Sequence, residues 1–212
     1  MNDEQIRELL HWFVNEAQPW MLYAEARRHA IEGYHQWIQP GTIEQMPDDE
    51  LRWRFQHFFR IGFNDGSRIF PQQYLDELIG DINRLRQTLL FLLNENIHII
   101  ERMNRVTNGG DHYIEGMGRA LQTSLLMCYN PDKYCLWSKK TDRGLSNLGL
   151  LEQVHGEGGT WGHRYVRFLN VSNGLKELEP EFDLTFAEID LFLRAIADEG
   201  QEAVRREQAR NF

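Results

Sequence analysis

Between residues 72 and 93 the apolar side chains recur every three or four positions: Leu75, Leu78, Ile79, Ile82, Leu85, Leu89 and Leu92. An α-helix advances 3.6 residues per turn, so this set falls on one stripe of a helix, whereas a half-buried strand needs strict alternation. The spacing predicts one helix from Gln72 to about Leu93, broken at Asn94-Glu95-Asn96. The same period returns at Ile6, Leu9, Leu10 and Phe13, which predicts a helix over 4–16 with Asp3 as its cap. A second helix is expected over 20–37, after Pro19 and with Gly33 as its weak point. A third is expected from Pro47-Asp48-Asp49-Glu50, where a proline and acids suit a helix start. Further helices are expected over 97–106, from Ser138 to Leu148-Gly149-Leu150, and from Asp183 to about Asp198. Asn64-Asp65-Gly66-Ser67 and His155-Gly156-Glu157-Gly158-Gly159 read as loops. Tyr165 to Asn170 reads as a short strand or a helix start, which leaves room for one strand or hairpin near 160–170. The expected fold class is mainly α.

Composition bounds the rest. The chain has 212 residues and 42% apolar content, enough to bury a core. The longest uncharged apolar run, Leu89 to Leu93, is far short of a membrane span, so no membrane association is expected. The first residues, Met1-Asn2-Asp3-Glu4, are acidic, unlike a signal peptide. Two cysteines, Cys128 and Cys135, cannot build a disulfide framework, and a cytoplasmic location is expected. No Gly-x-x-x-x-Gly-Lys-Ser/Thr loop is present, which excludes nucleotide hydrolysis of that type. His155 and His163 flank the glycine loop without a cysteine or carboxylate at ligand spacing, so no metal site is expected.

The net charge of −9 opposes non-specific binding of polyanions. Its distribution is uneven: residues 116–170 hold seven Lys and Arg against four Asp and Glu. A polyanion is expected to dock there. Within that stretch Gly116-Met117-Gly118-Arg119 precedes a helix. Two glycines permit a bend that side chains would block. The amides of the helix start can then face a phosphate, with Arg119 in reach. Lys139, Lys140 and Arg143 follow on the next helix. The alternative is a plain turn between packed helices. Trp161, His163 and Arg164 beside Gly158-Gly159 suit a base-stacking loop, although such an aromatic more often anchors a loop to the core. Trp137 reads as a core residue. Arg27-Arg28 and the acids Glu177, Glu179 and Glu181 read as solvated faces.

The order of glycine bend, helix, Asn130-Pro131-Asp132-Lys133-Tyr134 turn, Cys135-Leu136-Trp137 and a helix ending Leu148-Gly149-Leu150 resembles the core of the helix-hairpin-helix DNA glycosylase superfamily. It is more similar to a divergent form found as an accessory domain of McrB-type AAA+ restriction GTPases and related bacterial proteins. That likeness extends to Tyr165-Val166-Arg167-Phe168 and to the tract Asp183-Leu184…Phe192-Leu193, covering roughly 97–196. It implies an N-terminal helical part (1–96) packing on a helix-hairpin-helix core (97–199), with 200–212 as tail or linker. It also implies a monovalent cation at the bend carbonyls, DNA as partner, and a GTPase or nuclease subunit nearby. Ala120 stands near the family's catalytic Lys, and Trp137 and Ser138 stand near its catalytic Asp. Without that carboxylate the sugar cation of base excision lacks a stabiliser. The expected function is a non-catalytic DNA-binding or accessory domain of a restriction or defence system. The alternatives are a protein-interaction scaffold whose acidic surface meets a basic partner and, more weakly, a base-acting enzyme using Asp142.

Overall fold

A helix whose every side carries buried residues has to run through the middle of a protein. Helix α12 (Phe186–Arg210) does so along its first half, where Ile189, Leu191, Phe192, Leu193, Ala195 and Ile196 are all buried. The computed structural model describes residues 1–63, 72–156 and 158–210. Among them every regular element is helical, as the periodicity requires. In chain order the others are α1 (Asp3–Asn15), α2 (Gln18–His35), α3 (Pro40–Gln45), α4 (Asp48–Ile61), α5 (Gln72–Gly80), α6 (Ile82–Leu93), α7 (Ile99–Arg105), α8 (Arg119–Tyr129), α9 (Lys139–Leu148), α10 (Leu151–His155) and α11 (Trp161–Leu178). One 3-10 turn spans Pro180–Phe182.

Around α12 pack α9, α2, α1 and α11, and α7 lies on the far side of α11. The α9–α12 approach is close because Gly144 faces it. A Cβ at Gly144 would sit 2.0 Å from the Leu193 carbonyl oxygen. The α2–α12 contact contains buried charge. Arg27, fully buried and not a solvated face, pairs with Asp190, and Arg194 Nε donates to Asp190 Oδ1 at 3.1 Å. Its neighbour Arg28 pairs with Glu188 at 2.8 Å. Removing one partner of such a buried pair strands the other charge away from water.

Local chemistry differs from expectation at two places and decides between alternatives at two more. Asn2, not Asp3, caps α1: its side chain accepts from Gln5 N while the Gln5 side chain accepts from Asn2 N. The helix expected over 72–93 is two helices, because the Asp81 side chain accepts from Arg84 N and starts α6 afresh. The apolar stripe continues across that break, so the period alone does not show it. Of the strand and the helix start left open near 160–170, the helix forms, opened by a capping box of Thr160 and His163. The tail, which read as a frayed helix or a linker, continues α12 to Arg210. The Asn64-Asp65-Gly66-Ser67 loop lies outside the described residues.

Gly144→Ala should lower stability by about 1–3 kcal/mol, because neither backbone can yield. Gly174→Ala, where nothing lies within 4 Å of the new methyl, should gain about 0.5–1 kcal/mol from reduced chain freedom. Urea unfolding of both variants measures the contrast, and equal effects would contradict the close-approach reading.

Candidate functional site

The glycine bend is the last turn of a longer connection. Helix α7 ends at Arg105 and α8 begins at Arg119, so residues 106–118 separate them, and the two helices are not joined by the glycines alone. Gly116 adopts φ +87°, a left-handed conformation that suits glycine, and the Tyr74 side chain closes over it. Met117 is fully buried and anchors the bend. The bend carbonyls already accept hydrogen bonds from within the chain: Ile114 O from Met117 N, Gly116 O from Gly118 N, and Met117 O from Gln122 Nε2 at 2.6 Å. Gly118 is exposed and caps α8 without a side chain, and the Arg119 amide has no acceptor among the described residues.

Three helix starts meet here. Arg119 opens α8, Ser138 caps α9, and Trp161 opens α11. Asp142, in the first turn of α9, holds them together. Its Oδ2 pairs with the Arg119 guanidinium. Its Oδ1 accepts from Trp137 Nε1 at 2.8 Å and lies 3.2 Å from His155 Nε2 at the end of α10. The Arg119 guanidinium lies 4.7 Å over Trp137 and 5.6 Å from the ring of Trp161. Trp137 stacks on Trp161 at 4.9 Å and on Phe168 at 5.5 Å. The aromatic stack gives the cation a polarisable wall, and each such contact contributes about 0.5–2 kcal/mol. Thr123 Oγ1 accepts from Trp137 N at 2.9 Å and donates to Arg119 O at 2.7 Å, tying the stack to α8.

The predicted residues divide accordingly. Arg119 is neutralised by Asp142, and Lys140 Nζ pairs with Asp198 at 2.7 Å. Lys139 and Arg143 stand exposed, with no ion-pair partner among the described residues. Trp161, His163 and Arg164 are not loop residues. They occupy the first turn of α11, with Trp161 on the aromatic stack and His163 in the capping box. Trp137 is buried, as expected. Sequence reading missed the union of Arg119, Asp142 and His155. These residues are 23 and 13 positions apart across different helices, and no spacing rule reaches that far.

Asp142 has a donor on each of three sides and so orients its neighbours; a base would need a free lone pair facing a substrate. No nucleophile accompanies it among the described residues. Ser138 and Thr141 cap α9, and the Cys135 thiol is fully buried, its pKa pushed well up by desolvation. Beyond the bend, a cleft of about 450 Å³ is lined by Asp76, Glu77, Asp81 and Glu115 together with Arg84. No protein-family model, curated protein or solved structure matches the chain.

Asp142→Ala should cost about 2–4 kcal/mol, since it leaves Arg119 without its counter-ion and the Trp137 N–H without an acceptor. Tryptophan fluorescence followed through urea unfolding measures this. A loss below about 0.5 kcal/mol, the range of ordinary surface changes, would mean that Asp142 does not organise the site.

Proposed function

We propose that this chain is a non-catalytic DNA-binding module that grips the duplex backbone at the junction of α8, α9 and α11. The observation carrying this reading is the convergence of three helix starts beside two exposed cations, Lys139 and Arg143. Helix starts concentrate partial positive charge, and the one at α8 is capped by Gly118, which brings no side chain of its own. The acidic cleft of Asp76, Glu77, Asp81 and Glu115 lacks Lys139, Arg143 and the three helix starts, and its carboxylates repel phosphate. Arg119 has its counter-ion already, so it acts by fixing the aromatic stack and the helix starts. With so few cations the grip is weak and sequence-independent, which suits an accessory part beside a GTPase or nuclease subunit of a restriction or defence system.

A labelled duplex titrated in fluorescence anisotropy should bind at about 50 mM salt and weaken steeply as salt rises. Charge reversal in the double variant Lys139→Glu, Arg143→Glu should weaken binding at least about tenfold for every sequence and flatten the salt slope by roughly two. Absence of binding at about 50 mM salt, or an unaltered double variant, contradicts the reading.

The acidic cleft favours a second reading, a scaffold that meets a basic protein partner. Under it, a lysine-rich peptide binds, Glu77→Gln with Glu115→Gln abolishes that binding, and DNA has no effect.

A further inference from the structure

The turn after α11 gathers metal-ligating side chains that are far apart in sequence. His11 lies on α1, Glu179 ends α11, and Glu181 sits in the 3-10 turn. One ligand atom from each lies within 4.8 Å of the others. Glu179 is not the solvated acid its sequence context suggests, since it is only 7% exposed. A carboxylate so buried needs donors. The nearest cations are His11 Nε2 at 3.5 Å and Arg7 Nε at 3.8 Å, and among the described residues no N–H donates a hydrogen bond to it. Its other close neighbour is the Glu181 carboxylate, another acid. We propose that His11, Glu179 and Glu181 form a site for a first-row divalent ion of the zinc type.

The donor set supports this assignment. An imidazole nitrogen beside two carboxylates suits zinc-like ions better than calcium or magnesium, which prefer oxygen alone. Around a tetrahedral zinc, ligand atoms stand about 3.4 Å apart, so the cluster must contract by roughly 1 Å. His11 and Glu181 are exposed and free to do so, whereas Glu179 is fixed. The Phe182 ring packs edge-on against the His11 imidazole at 4.7 Å and limits its rotation. Two carboxyl groups this close cannot both carry charge cheaply. A dication seated between them offsets that repulsion, and one ligand atom from each already lies within 4.8 Å of the others. Three protein ligands leave a fourth position open to water.

The test uses the full chain stripped by a chelator and titrated with Co²⁺, then Zn²⁺, following cobalt absorption and heat. One ion should bind per chain. His11→Ala and Glu181→Gln should each weaken it at least about tenfold, while His29→Ala, at an exposed histidine elsewhere, leaves it unchanged. Glu179→Gln should lose the ion yet unfold like the wild type in chelator, because the amide keeps the side chain's shape and removes its charge. No binding up to about 1 mM ion, or equal affinity in wild type, His11→Ala and Glu181→Gln, overturns the proposal.

Discussion

Much of the site depends on a single carboxylate. Asp142 accepts from a guanidinium, an indole and an imidazole supplied by α8, by the segment before α9, and by the end of α10. Each donor is partly or wholly out of water, so each requires an acceptor, and Asp142 is the acceptor common to all three. Its position follows from local chemistry. The Ser138–Thr141 capping box fixes where α9 begins, and Asp142 falls in the first turn, where the helix favours negative charge. The aromatic column of Trp137, Trp161, Tyr165 and Phe168 then supplies a rigid floor.

A second buried charge cluster stands behind the first. Asp190 on α12 binds Arg27 of α2 and Arg194 of its own helix, and so docks the N-terminal helices onto the later ones. The two clusters lie on facing partners, because α9 rests on α12 through Gly144. The helix starts that meet at Asp142 are thus held by the core, and their convergence does not depend on loop conformation. That is the kind of support a binding surface needs if its geometry is to persist without a ligand.

The helices were legible because their apolar period is a local property. Helix ends were legible where capping chemistry is short-range, as at Ser138 and Gly149. The break at Asp81 was hidden because Ile79 and Ile82 keep the stripe intact across it. Tyr165 to Asn170 left a strand and a helix start open, and the capping box of Thr160 and His163 decides for helix. The glycine bend was visible as a backbone feature, but the neutralisation of Arg119 was not, since its partner lies on another helix. The same limit hid the burial of Arg27, whose partner is 163 residues away, and the meeting of His11 with Glu179.

The proposed function requires that the helix starts around Asp142 receive a polyanion. Amide chemical-shift mapping of the isotope-labelled chain against a short DNA duplex at low salt tests it most directly. The account predicts shifts concentrated at Gly118, Arg119, Lys139, Lys140, Arg143 and Trp161, with Asp76 to Asp81 undisturbed. Shifts centred on the acidic cleft, or none anywhere, would contradict it.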